Sequence, residues 1–299
     1  MPLFRLHGFW LTQQRAESVK LVHAQFKPRR DDVFLVTYPK SGTTWLKALV
    51  FTVLNRSVHP VSDAGHPLLS HNPHGLVPFL EYPDRTMYPV MELEELPSPR
   101  LLSTHVPPVL LPSGTLALGC RVVYLWREPK DVLVSTWHHL HSVFQESGVE
   151  FEKAFELFCE GVSFYGPIWE HYLGYWNQSV RAPNSVLFLK YDEMMAQPAK
   201  HVKMLAEFLD VPFTSDEVNS GVVEEVVKLC SFHYLKNLPV NSDGVAGPVG
   251  AVRTKNSIFF RKGEVGDWEN HLTLEMAHKL DRIIEEKLEG SGLTFSHAV

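Results

Sequence analysis

Three short runs of the chain are apolar without interruption and rich in β-formers: Phe34-Leu35-Val36, the stretch Arg121 to Arg127, and the stretch Ser185 to Tyr191. Runs of that length, bounded by polar residues, read as strands buried on both faces. A fourth stretch, from Arg100, reads as a short strand ended by Pro107-Pro108. Between them the apolar spacing changes to a helical period. Trp45, Leu46, Leu49, Val50, Val53 and Leu54 recur on one face. Further helices are predicted before Asp31 (Val19, Leu21, Val22 and Phe26, after a lead segment with Trp10) and from Lys130-Asp131 to about Phe144. Others are predicted over Phe151–Trp176 with a break near Gly166-Pro167, Pro198–Leu209, Ser215–Leu229 and Thr273–Leu288. Val58 to Leu116, dense in proline and histidine, reads as a connecting region or cover, and Ser231 to Val252 as loop. Strands alternating with helices, with no repeat and no composition break, predict one α/β domain: a central parallel sheet flanked by helices on both faces.

In such sheets ligands gather beyond the carboxyl ends of the strands, so the residues there carry the argument. After the first strand comes Lys40-Ser41-Gly42-Thr43-Thr44, leading into a helix. Gly42 permits close backbone approach, and helix N-terminal amides attract anions. The bland alternative is an ordinary helix-capping turn. A Walker A loop is excluded, because there the lysine follows the last glycine and here it precedes the only one. Asp31 and Asp32 sit at the other end of the strand, so the loop predicts anion binding without an essential magnesium ion. Arg127 ends the second strong strand, with Ser135 two turns into the next helix. It either meets a ligand or forms a salt bridge with Asp131. His105 ends the weaker strand and is a candidate for chemistry or for a structural role. His71 and His74 have metal-like spacing but no completing ligand, and loop capping by Asn72 and His74 is the simpler reading. His138, His139 and His141 lack i,i+4 metal spacing and read as surface or pocket wall. Arg253 to Gly263 concentrates four basic residues, Arg253, Lys255, Arg261 and Lys262.

Composition narrows the partners. A net charge of -6 over 299 residues argues against nucleic acid as the main partner. Three widely spaced cysteines, Cys120, Cys159 and Cys230, suggest a reducing compartment and no zinc site. The first residues lack a signal-peptide pattern, and no run of about 18 apolar residues suggests a membrane span. The cytosol is the expected address.

Taken together, YPKSGTTW (Tyr38 to Trp45), Thr104-His105 before proline, the Arg127 and Ser135 pair, SFHYL after Leu229-Cys230, and RKGEVGDW (Arg261 to Trp268) resemble the cytosolic sulfotransferase family, in its order and separations. GFW, NPHGLVPFLE and LCSFHYLKNLPVN are most similar to plant members. The resemblance implies a P-loop-like α/β fold using 3′-phosphoadenosine-5′-phosphosulfate (PAPS) as sulfonyl donor, with no metal. By motif position, Lys40, Ser41, Gly42, Thr43 and Thr44 would hold the 5′-phosphosulfate. Arg127, Ser135, Arg261, Lys262 and Gly263 would surround the 3′-phosphate. Trp45 and Phe232 would sandwich adenine, Tyr191 would approach its amino group, and Cys230 stands where animal members have a donor-site threonine. His105 would be the general base, with Lys40 and Ser135 completing the catalytic set.

Ser103 replaces a lysine that many animal members carry two positions before the histidine. Glu269, Thr273-Leu274 and His278 replace the charged ends of the animal dimerisation pattern, so a monomer is expected. The lead before the first strand is shorter than in plant relatives, which suggests a missing covering segment. Acceptor walls are expected around Leu76–Tyr88, Trp137–Phe144 and Phe232–Val252. They suit a small apolar body with one hydroxyl: phenolic or flavonoid, steroidal, jasmonate-type or oxime. Two rivals are a small-molecule kinase and a nucleotide-binding protein without turnover.

Overall fold

Each of the three strong apolar runs is a strand, and their side chains alternate between two separate cores. The computed structural model describes residues 2–81, 90–143, 149–246 and 254–295. A hairpin, β1 (Phe4–Leu6) and β2 (Phe9–Leu11), opens the chain, followed by α1 (Gln13–Gln25), β3 (Val33–Thr37) and α2 (Thr43–Asn55). Next come β4 (Leu101–Thr104), β5 (Arg121–Trp126), α3 (Pro129–Val143), α4 (Phe151–Cys159) and α5 (Ile168–Arg181). Then follow β6 (Val186–Lys190), α6 (Pro198–Phe208), α7 (Val222–Leu229) and, last, α8 (Leu274–Leu288). The four central strands are parallel, in the order β4-β3-β5-β6.

Alternation distributes the core. Phe34, Val36, Leu102, Val122, Tyr124 and Trp126 face one side, where α1, α4, α5 and α8 contribute Val22, Phe155, Tyr172 and Ile284. Val33, Leu35, Val123, Leu125 and Leu189 face the other, against Leu49 of α2, Val202 of α6 and Val226 of α7. Burial of both faces explains why the runs have no polar alternation. At the amino ends of the strands, Arg100 and Asp32 form a fully buried ion pair, at 2.6 Å. The predicted separation of the strand aspartates from the loop therefore holds, and Asp32 has a structural partner.

Several expectations change in detail. The lead segment is a hairpin pinned by Tyr165 N–H to Trp10 O at 2.7 Å, a cross-chain contact that no local pattern announces. Ser215–Leu229 is two helices, broken at Ser220-Gly221. The predicted loop from Ser231 contains two short helices, Phe232–Asn237, capped by the Ser231 hydroxyl, and Pro239–Ser242. Neither is long enough to display a helical period. Residues 82–89, 144–148 and 247–253 lie outside the described residues, and with them Arg253, Phe144 and parts of the expected acceptor walls.

Candidate active site

The turn after β3 is held in an unusual backbone. Lys40 has φ +69°, a left-handed conformation costing a non-glycine residue about 1–2 kcal/mol. Gly42 has φ +105°, and a Cβ there would lie 2.8 Å from the Tyr191 ring. Only glycine fits. No side chain caps α2, so its first amides are left for a ligand, as in other anion-binding helix starts. Thr43 Oγ1 meets Thr37 Oγ1 at 2.7 Å. Thr44 Oγ1 lies 3.0 Å from His74 Nε2. Ser41 is buried, and Trp45 packs edge-on against Tyr191, with centroids 5.5 Å apart.

The basic residues converge on this turn from three elements. Lys40, Ser135, His138, His139, Ser142, Ser257, Ile258 and Arg261 line a cavity of about 140 Å³. Burial, then the charges of Arg261 and Arg127, bring the Lys40 ammonium down to about 8. Arg127 does form the salt bridge with Asp131, at 3.2 Å, and also donates to Glu264 O and lies over the Tyr191 ring. Its Nε, like that of Arg261, is buried with no partner among the described residues. Cations gathered this closely, with orphaned donors, fit an anion of several charges.

The late basic loop is organised by acids. Arg261 Nη1 lies 2.6 Å from Asp267 Oδ2, and Lys262 Nζ pairs with Asp267 Oδ1. Burial would raise the Asp267 carboxyl, but the hydrogen bonds from Lys262 and Arg261 hold it well below the usual range. Asp131 accepts from the backbone N–H of Gly266 at 2.9 Å and of Trp268 at 3.1 Å. It thus ties the loop to the start of α3. Gly263, at φ +70°, lies against the face of Phe232.

His105, half-buried at the end of β4, is joined to the turn through Thr37. Its Nδ1 lies 2.7 Å from Thr37 O and 3.2 Å from Thr37 Oγ1. A carbonyl can only accept, so Nδ1 carries the proton and Nε2 keeps a free lone pair. Burial pushes the imidazole down to about 3, against the Thr37 hydrogen bond, with Lys47, Arg15 and Lys40 adding to the fall. Its backbone is fixed on both sides. The N–H donates to Glu81 Oε1 at 2.9 Å, and the carbonyl meets His171 Nε2 at 2.9 Å. Glu81, itself buried, also takes Thr104 Oγ1 and the Tyr165 hydroxyl. Phe79 and Tyr165 flank the imidazole, with centroids 4.9 and 5.5 Å away.

Most of the predicted residues therefore meet around one turn: Lys40 to Trp45, His105, Arg127, Ser135, Tyr191 and Arg261. Lys262, Phe232 and Gly263 lie on the loop or helix beside it. Cys230 does not join them. It is fully buried, its thiol raised by burial to about 12 and set against Thr52 Oγ1 at 3.4 Å, so it offers no open atom to a ligand. The described cavity takes His138, His139 and Ser142 from the expected wall Trp137–Phe144, and much of the rest of that wall, in 82–88 and 247–252, lies outside the described residues. Asn72 does cap, accepting from His74 N–H at 2.9 Å, but the His74 ring points to Thr44 and Lys47 instead. Glu81, Asp131, Asp267 and His171 were not read as functional. Glu81 directly follows the apolar stretch Leu76 to Leu80, Asp131 enters only as the alternative salt-bridge partner of Arg127, and Asp267 lies inside RKGEVGDW without a role of its own.

A family profile described as the sulfotransferase domain matches residues 30–292. Cytosolic sulfotransferase 5 of Arabidopsis thaliana is 45% identical over 301 residues, covering 97% of this chain and 90% of that protein. The crystal structure of an Arabidopsis thaliana putative steroid sulphotransferase is 40% identical with a TM-score of 0.76, covering 98% of this chain and 89% of that one. A mouse sulfotransferase, SULT7A1, complexed with PAP, is 26% identical with a TM-score of 0.75, covering 97% and 96% of the two chains. The chain belongs to the sulfotransferase family.

Proposed function

We propose that the chain transfers a sulfonyl group from PAPS to the hydroxyl of a small apolar acceptor, with His105 as general base. PAPS supplies the activated sulfonyl group, and its product is PAP, the nucleotide bound to the mouse relative. Lys40 and the amides of residues 41–44 would hold the 5′-phosphosulfate, with Lys40 neutralising charge on the departing oxygen. Arg127, Ser135, Arg261, Lys262 and Gly263 would take the 3′-phosphate, and Trp45, Phe232 and Tyr191 the adenine. The acceptor oxygen bonds to sulfur as the bond from sulfur to the phosphate oxygen breaks, and the acceptor proton passes to His105 Nε2. In-line positioning and charge stabilisation, more than covalent help, suffice for such a transfer.

The observation that carries this reading is the 2.7 Å contact between His105 Nδ1 and the Thr37 carbonyl, on the strand that ends at the anion turn. It supports a neutral imidazole whose only free nitrogen is a proton acceptor. The aromatic neighbours Phe79 and Tyr165 support an apolar acceptor body, whether phenolic or flavonoid, steroidal, jasmonate-type or oxime. The whole chain would act as one catalytic domain. The cytosol named for the plant relatives is the proposed address, and no described helix is long and apolar enough to cross a membrane.

The test is a panel of hydroxylated acceptors with labelled PAPS, beside His105→Ala. The variant should lose about 10²–10⁴ in turnover while still binding adenosine 3′,5′-bisphosphate. A loss below about tenfold with that affinity intact would make His105 a structural residue. Binding of PAPS without product from any acceptor would favour a nucleotide-binding protein.

A further inference from the structure

Behind the anion turn, on the inner face of α2, lies a lysine that the proposed reaction does not use. Lys47 is fully buried. Its Nζ lies 2.8 Å from Val77 O, 3.1 Å from His74 Nδ1 and 3.6 Å from the centroid of the Phe79 ring. A lysine nitrogen buried without solvent is rare, and here an imidazole, a carbonyl and a ring face from one stretch of chain, residues 74–79, meet it. Carbonyl and ring face both attract N–H, so Lys47 has its donors aimed at these groups. Burial drives the Lys47 ammonium well below its ordinary value, and the Glu81 charge opposes the fall.

His74 is equally well fixed. Its N–H is taken by Asn72 Oδ1, and Asn72 is anchored in turn on Asn241 at 2.8 Å. Its ring is stacked on Phe79, and Phe259 packs at 4.2 Å on it. Nδ1 faces Lys47 and Nε2 faces Thr44 Oγ1 at 3.0 Å. Burial, then the charge of Lys47, keeps the imidazole neutral, well below its ordinary value. A neutral imidazole has a single proton. As an ammonium, Lys47 has a third proton for Nδ1 beside those for Val77 O and the Phe79 ring. The His74 proton must then sit on Nε2 and be given to Thr44 Oγ1, whereas a neutral amine would accept from Nδ1 and reverse the order. The Thr44 hydroxyl then has its own proton to give elsewhere. With the opposite tautomer, that hydroxyl would spend its proton on His74 and turn only lone pairs towards an anion.

We propose that Lys47 and His74 are positioning residues that orient the Thr44 hydroxyl as a hydrogen-bond donor to the 5′-anion of the donor nucleotide. Lys47 acts through His74 and touches no ligand. The inference rests on the reading of residues 40–44 as the anion turn, and it assigns a direction to every proton along Lys47, His74 and Thr44. Ser103, by contrast, is committed to Pro78 O at 3.2 Å.

The experiment measures affinity for two probes, adenosine 3′,5′-bisphosphate and adenosine 3′-phosphate, by calorimetry. Lys47→Met keeps the apolar stem, and Thr44→Val keeps the shape of the threonine. Each should weaken the bisphosphate about tenfold, as expected for one charge-assisted hydrogen bond, and leave the monophosphate within about twofold. The double variant should bind no worse than Thr44→Val alone. Losses that multiply in the double variant, or an equal loss for both probes, would overturn the relay. If Thr44→Val leaves the bisphosphate unchanged, the anion-turn reading of Thr44 itself fails, and the relay falls with it. Should Lys47→Met not fold, ¹⁵N shifts of His74 in the intact protein decide the matter: protonated Nε2 supports the relay and protonated Nδ1 refutes it.

Discussion

Gly263→Ala probes the contact between the late basic loop and the proposed adenine platform. A Cβ on Gly263 would sit 2.3 Å from Cδ2 and 2.4 Å from Cγ of Phe232. Carbon atoms pack best at about 3.5–4.0 Å, so the ring would have to retreat by about 1 Å. Those two atoms lie close to the ring's attachment, and a small swing about χ2 does not clear them. The substituted residue would also sit at φ +70°, which costs an alanine about 1–2 kcal/mol. Stacking of a base on an aromatic ring is worth about 1–3 kcal/mol, so a displaced Phe232 should weaken nucleotide binding about 5–150-fold. The assay is calorimetric titration with adenosine 3′,5′-bisphosphate, beside urea unfolding to separate strain from lost contact. Phe232→Ala in the same background removes the overlapping Cγ and Cδ2 and should relieve the strain without restoring affinity. A folded Gly263→Ala protein whose affinity stays within twofold would refute the assignment of Phe232 to adenine.

Affinity for adenosine 3′,5′-bisphosphate should be greatest between about pH 6 and 8 and fall above it, by up to about tenfold per pH unit. The Lys40 ammonium, brought to about 8, must then be protonated on binding, whereas a phosphate's second ionisation, near pKa 6, is already complete. Lys40→Met should flatten that limb, and a wild-type profile flat from pH 7 to 9.5 would count against the assignment. Arg100→Met should destabilise the protein by about 3–5 kcal/mol in chemical unfolding, because it strands the buried Asp32 carboxylate. A change below 1 kcal/mol would mean that Asp32 takes up a proton or gains water. The chain should sediment as a monomer, because Glu269 and His278 stand where the animal dimerisation pattern has its charged ends. A dimer that persists on dilution would show that another surface associates.

The strands and their ends were legible because that information is local. Short apolar runs rich in β-formers and bounded by polar residues read as strands buried on both faces, and parallel strands deliver their last residues to one edge of the sheet. That logic places Lys40 to Thr44, His105 and Arg127 at the mouth of the sheet, with Ser135 two turns into the helix that follows Arg127. The hidden supports were not legible. Asp131 holds Gly266 from 135 positions away, and Glu81 and His171 grip the two sides of His105 from 24 and 66 positions. Which acid takes which amide depends on packing of distant segments, and a buried donor accepts whatever partner the fold brings to it. Cys230 shows the converse: its place in a motif suggested contact with the donor, and packing against α2 closed it off. The short helices after Ser231 escaped for a simpler reason, since one turn of helix has no period to read. Local chemistry determined what stands at the mouth of the sheet. The tertiary fold alone decided what holds it there, and through Lys47 and His74 which way its protons point.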